Sequence, residues 1–341
     1  MMIALMMLIA IPVHALEIEA PVVPASGARF MPSEPENLGQ AIWKMIRDAL
    51  YYFQPNLKEA MSVCVSVIAA AMIMSLIRNI PGSSSRTVNL TGTVVVCMVL
   101  LAPANTMINL SADAVREVTE YGKLLLPVMT AALAAQGGIS ASSALYAGTA
   151  FFGNLLSSLI TKLLIPAVYL FLALAAARSA VGDDLLKKLA DQMKGCMTWI
   201  LKTLLYLYTG FITITGVISG TTDAAALKAA KLTISGAVPV VGGILSDASE
   251  ALLVSAGTLK NAAGLYGMFA ILAIWIGPFV QIGVQYLLLK GTGIICGVFA
   301  GKEITDLIGD FSSSMGLLLA MTGTVCLTIL IGVACFMKGA M

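Results

Sequence analysis

A chain of 341 residues that is 59% hydrophobic and only 11% charged, with a mean hydropathy of +0.93, cannot clothe a water-facing surface, because soluble proteins carry roughly a quarter charged residues. The composition excludes a cytosolic globular protein and predicts an all-α, polytopic helical membrane protein whose surface is covered mainly by lipid. A net charge of +2, dispersed along the chain, makes no nucleic-acid footprint, so no DNA or RNA partner is expected.

In chain order, residues 1–15 read as a signal peptide-like segment: an apolar run ends in Val13-His14-Ala15, with small residues at the two positions a signal peptidase reads and no Lys or Arg before them. Residues 16–59 are expected to lie outside the cytoplasm. Their first part, with Glu17, Glu19, Glu34 and Glu36 among four prolines, is an acidic, Pro-rich tail expected to be extended and solvated. Their second part, 41–59, mixes Trp43, Ile46, Leu50 and Tyr51 with Lys44, Arg47, Asp48, Lys58 and Glu59, the pattern of an amphipathic interfacial helix. Residues 60–338 form the multi-pass transmembrane domain. Apolar runs near the spanning length of about 20 residues fall at 60–77, 91–109, 144–161, 163–178, 203–219, 264–289 and 314–337. The pieces 124–136, 222–258 and 291–301 are short or interrupted, so seven or eight spans with broken or re-entrant segments are expected. Arg178, Lys187, Lys188, Lys194 and Lys202 make 178–202 the most basic loop and place it in the cytoplasm; Arg78 and Arg86 agree, and the side of the C-terminus stays open.

Spans beginning near 91, 203 and 314 are evenly separated, and Gly137-Gly138-Ile139-Ser140 is matched by Gly242-Gly243-Ile244-Leu245-Ser246 at the corresponding place after the second. This is either an internal repeat or a coincidence among small residues. Duplicated halves with interrupted segments point to a transport pathway, since unwound backbone at membrane depth survives only where it is buried or lines a cavity. The residues that would form such a passage or its hinges are Pro127, Gly137, Gly138, Lys228, Lys231, Pro239, Gly242, Gly243, Asp247 and Glu250. The alternative for 220–262 is a solvated amphipathic loop. Lys162, between two apolar runs and four residues before Pro166, either caps a tight turn at the interface by snorkelling, the reading preferred, or sits within the membrane as a functional charge. Gly216 with Gly220, and Gly293 with Gly297 and Gly301, have GxxxG spacing, and the amides of Gln281 and Gln285 suit hydrogen bonding between helices, so these residues are expected to serve helix packing.

No enzymatic chemistry is expected. The one histidine, His14, lies in the segment expected to be removed, which leaves no imidazole for a triad, a proton shuttle or a metal site. The six cysteines show no CxxC pair, and there is no P-loop, HExxH or GxSxG. No cofactor or metal is implied.

The stretch Gly210 to Gly264 resembles the signature region of the stage III sporulation protein AE family. The resemblance runs from about residue 60 to the C-terminus and is carried by Ser219-Gly220-Thr221, Lys231, Pro239 through Gly243 and Leu259-Lys260-Asn261, with Lys123-Leu124-Leu125-Leu126-Pro127 as a second match. It implies a multi-pass protein of endospore-forming bacteria, placed in the mother-cell membrane surrounding the forespore. There it would be a channel- or permease-like subunit of a transenvelope complex. The partners implied are the other membrane, ring-forming and ATPase proteins of the stage III sporulation A operon and, on the forespore side, stage II sporulation protein Q. Two other readings are an autonomous secondary transporter and a non-conducting membrane scaffold.

Overall fold

The computed structural model describes residues 21–32, 38–78, 80, 85–237 and 242–338, with backbone alone at 38, 85, 86, 89 and 216–260. Every regular element among them is helical, in keeping with the predicted class: α1 Ala25–Ala28, α2 Leu38–Tyr52, α3 Gln54–Arg78, α4 Ser85–Ala135, α5 Ile139–Leu159, a π-helical segment Ile160–Leu164, α6 Ile165–Val181, α7 Asp184–Ala237, α8 Gly242–Cys296 and α9 Lys302–Lys338. Six stretches among the described residues are long and apolar enough to cross a membrane: Gln54–Arg78, Leu90–Ala135, Ile139–Val181, Asp184–Thr215, Asn261–Cys296 and Lys302–Lys338.

Several apolar runs that the sequence separates are joined. The runs 91–109 and 124–136 both belong to α4, a 51-residue helix with Pro103 and Pro127 inside it. The runs 144–161 and 163–178 belong to one helical stretch, and no turn separates them at Lys162. Pro166 explains the local geometry: proline clashes with the carbonyl four residues back, and widening the preceding turn to π geometry over Ile160–Leu164 relieves that clash without ending the helix. Lys162 lies in the π segment with its side chain exposed. The piece 291–301 is the last turn of α8 and its connection to α9.

The bundle is organised around α9, which packs on α8, α4, α5, α6 and α7. Of its most apolar stretch 61% is buried, against 17% for α3, which sits at the margin. The core includes Leu307, Phe311, Met315, Leu318, Met321, Val325 and Phe336 of α9, with Leu125 and Met129 of α4 and Phe171 of α6. Close approach relies on small residues. A Cβ at Gly332 would stand 2.6 Å from the Thr149 methyl and 2.8 Å from the Tyr208 hydroxyl, and one at Gly267 would collide with the Leu125 side chain.

The N-terminal part differs from the extended tail expected of it. Val23 and Phe30 are buried, Gly27 lies so close to α8 that a Cβ would sit 2.7 Å from Ile274 Cγ1, and the Ser26 hydroxyl donates to the Glu117 carboxylate. The amphipathic helix ends earlier than expected, at Tyr52. Its buried stripe, Ala41, Met45 and Ala49, packs with Phe269, Ala273, Ile276 and Val280 of α8, while Trp43 is 68% exposed.

One end of the bundle gathers the C-terminal end of α3, the start of α4, the α6–α7 turn and the α8–α9 connection. The Ser75 hydroxyl donates to the Phe299 carbonyl at 2.7 Å, and the Thr93 hydroxyl to the Ser179 carbonyl at 3.2 Å. Arg78, Arg178, Lys187, Lys188 and Lys302 belong to this basic end, the one that the positive-inside bias expects in the cytoplasm. The α4–α5 turn, Gln136-Gly137-Gly138, is uncharged and lies at the other end with the close of α9. Topology reporters placed after Gly182 and Lys302 should therefore read cytoplasmic, and reporters after Gln136 and Lys338 extracytoplasmic; the same side for Gly182 and Lys338 would overturn this arrangement. Gly332→Val should break the buried contact of Thr149 Oγ1 with the Tyr208 hydroxyl, 3.1 Å apart, and lower stability in detergent by about 2 kcal/mol in thermal unfolding.

Candidate functional site

The sequence-derived passage residues are only partly placed. The side chains of Lys228, Lys231, Asp247 and Glu250, and Pro239 altogether, lie outside the described residues, as do the surroundings of Gly216 and Gly220. Gly242 and Gly243 are the first residues of α8. Pro127 does not hinge: it is exposed within unbroken α4, where its missing N–H costs one bond of a long helix. Gly137 does turn the chain, at φ 92°, and Gly138 precedes α5. The Gly137-Gly138 and Gly242-Gly243 pairs thus both stand at the start of the second helix of a pair, α4–α5 and α7–α8. Gly293 faces Ile308 of α9, a Cβ there meeting Ile308 Cγ2 at 3.5 Å, and Gly297 lies in the connection that ends at Gly301, so these glycines shape the α8–α9 corner.

Gln281 and Gln285 do not form the interhelical hydrogen bonds expected of them. Both line a cavity of about 380 Å³ enclosed by α3, α4 and α8, together with Asn56, Glu59, Val63, Val99 and Pro103. Gln285 is 5% exposed, and among the described residues its amide has no hydrogen-bond partner.

At the basic end Arg178 is buried and its Nη2 lies 2.7 Å from Asp310 Oδ2 and 3.8 Å from Asp306 Oδ2 on α9. Gly182, at φ 76°, ends α6 with its N–H donating to the Arg178 carbonyl at 2.7 Å, and the Asp183 carboxylate accepts from the Leu185 N–H at 2.8 Å to open α7. The turn therefore fixes the backbone that aims Arg178 at α9. Lys194 Nζ donates to the Ser313 hydroxyl at 3.0 Å, a second tie between α7 and α9.

The feature that sequence reading missed is on α4. Its outer face begins apolar, with Leu90, Val94, Met98 and Leu101 exposed, and continues as Asn105, Asn109, Asp113, Arg116, Glu120 and Lys123, all exposed. The spacing of three and four residues keeps this series on one side of a single helix. Tyr169 of α6 donates its hydroxyl to Asn105 Oδ1 at 2.6 Å where the face changes character, and Arg116 and Asp113 pair at 2.6 Å. The periodicity was present in the sequence but was hidden by dividing α4 into two spans with a linker. From about the level of Lys123 onward α7 exposes apolar residues, Tyr206, Leu207, Phe211 and Ile214; neighbouring Tyr208 is level with Gly332, one turn of α9 beyond the Ile329 that meets Gly122 of α4.

Among the described residues no group of three His, Cys, Asp or Glu side chains could hold a metal ion, and all six cysteines are free thiols. The arrangement is that of a multi-pass helical membrane protein with structural ion pairs at one end and an outward polar flank. Comparison with known proteins narrows the class. The family model described as stage III sporulation protein AE matches residues 32–339, and the chain belongs to that family. It is similar to the stage III sporulation protein AE of Bacillus subtilis (strain 168), with 23% identity over 248 residues that cover 72% of this chain and 62% of the relative's length. No solved structure matches the chain.

Replacing one member of the ion pair strands the other in a low-dielectric setting, whereas replacing both with apolar groups does not. Arg178→Met alone should cost about 3 kcal/mol and Arg178→Met with Asp310→Leu clearly less, read as a double-mutant cycle of unfolding in detergent. Additive losses would show that the two side chains do not act as a pair.

Proposed function

We propose that this chain is a membrane-embedded, channel-like subunit of the complex linking mother cell and forespore, located in the mother-cell membrane around the forespore, and that the polar flank of α4 borders its aqueous path. Family membership supports the sporulation role. The observation that carries the channel reading is the polar run on the outer face of α4, bracketed by exposed apolar residues on the same helix, Leu90 to Leu101 before it and Leu124 after it: lipid cannot solvate Asp113, Arg116, Glu120 and Lys123. A wall with one polar flank closes a passage when further copies or partner chains complete the ring. Partners would be the membrane, ring-forming and ATPase proteins of the same operon and stage II sporulation protein Q; the chain offers no nucleotide-binding loop, so any ATP-driven step would belong to a partner. The reading is non-enzymatic.

Cysteines introduced one at a time into a cysteine-free version test it in sporulating cells. A membrane-impermeant thiol reagent should label positions 109, 113, 116 and 120 and leave 94, 98 and 101 unlabelled, and Glu120→Leu with Arg116→Leu should abolish late forespore gene expression while the protein still accumulates in the membrane. Absence of labelling along α4, with normal development of the leucine variant, would favour a non-conducting scaffold.

A further inference from the structure

The cavity between α3, α4 and α8 stands apart from the polar flank, and its chemistry is that of a binding site. Most of its wall is apolar, with Ala60 and Val63 of α3, Val99 of α4 and Val280 and Val284 of α8. Its polar groups are few and unsatisfied. The Gln285 side chain is largely buried but its amide opens onto the cavity, and Gln285, Gln281, Asn56 and Glu59 have no hydrogen-bond or ion-pair partner among the described residues. Leaving a buried amide unpaired costs about 1–3 kcal/mol, so a wall that keeps one is expected to meet a ligand group or water there. Pro103 adds an acceptor: having no N–H, it leaves the carbonyl of Val99 without its usual helical donor, and both residues line the cavity.

Position and charge narrow the ligand. The mouth, at exposed Asn56 and Glu59, lies near the polar start of α3, whose outer face further along is apolar at Met61, Val65, Met72 and Ile73. The mouth therefore lies at the polar end of α3 and the interior runs along the apolar part of that span, the pattern of a headgroup above an acyl chain. No Lys or Arg lines the cavity, while Glu59 presents an uncompensated carboxylate. Such a mouth repels a net anionic headgroup and suits one carrying an ammonium donor.

We infer that this cavity binds a phospholipid with a primary ammonium headgroup, its ammonium at Glu59, its ester carbonyls within reach of the Gln281 and Gln285 amides, and one acyl chain between α3, α4 and α8. The site belongs to this chain alone and does not depend on the channel reading.

The test uses the full chain in detergent, titrated with fluorescent phosphatidylethanolamine and, separately, phosphatidylglycerol of the same acyl composition. Phosphatidylethanolamine should bind at least about fivefold more tightly. Gln285→Leu should weaken it by about tenfold, the loss of one hydrogen bond in an apolar setting. Glu59→Gln, an exposed substitution that leaves the core untouched, should bring the two lipids to equal affinity. Equal binding of both lipids by the unsubstituted protein, or a preference that survives Glu59→Gln, overturns the assignment. A folded Gln285→Leu protein with undiminished affinity overturns the placement in this cavity.

Discussion

Hydrocarbon offers a peptide group nothing to hydrogen-bond with, and the architecture follows from that restriction. Each span must satisfy its own backbone, which helices do, and prolines are admitted only where the helix can absorb the loss. Pro103 and Pro127 lie inside α4, and Pro166 follows a π turn. The same restriction decides what surrounds α9. A helix with buried residues from Ile304 to Phe336 on most sides leaves only a narrow stripe outside, through Gly309, Ala320 and Leu327, so the other spans enclose the rest of it.

Length is the second constraint. At about 1.5 Å per residue a 51-residue helix is roughly 76 Å long, more than twice the hydrocarbon thickness of about 30 Å. A straight α4 cannot be solvated by lipid over its whole extent, and the change on its outer face between Leu101 and Asn105 marks where the surroundings change. The Arg178 and Asp310 pair sits at the opposite, basic end, where α6, α7 and α9 are tied together. Rigidity at that end and polarity on one flank further along belong to one bundle, and both bear on how it could border a path.

Composition alone made the helical membrane class legible, because 11% charged residues leaves no other solvent for the surface. The amphipathic helix α2 was readable but its buried side was not: Trp43, Leu50 and Tyr51, the apolar residues that stand out in the sequence, are exposed, and the smaller stripe Ala41, Met45 and Ala49 packs on α8. The joins were not readable. Hydropathy falls over Asp113 to Lys123 and at Lys162, and a fall in hydropathy resembles a loop, yet a helix continues through polar residues when they face outward together. Gln281 and Gln285 show the same limit: spacing puts both amides on one side of α8 but cannot say whether the neighbouring helix supplies a partner or a void. The docking of Val23 and Phe30 onto α8 was hidden by the acidic, proline-rich residues around them.

The π segment at Ile160–Leu164 sets the rotational phase of the strut it interrupts. One extra residue in a turn advances everything beyond it by about 100° around the axis. Before the segment, α5 directs Phe152 to Tyr208 of α7, with ring centroids 5.4 Å apart. After it, α6 directs Tyr169 to Asn105 of α4. A single rod thus serves two different neighbours, and shortening it by one residue would make the two contacts mutually exclusive.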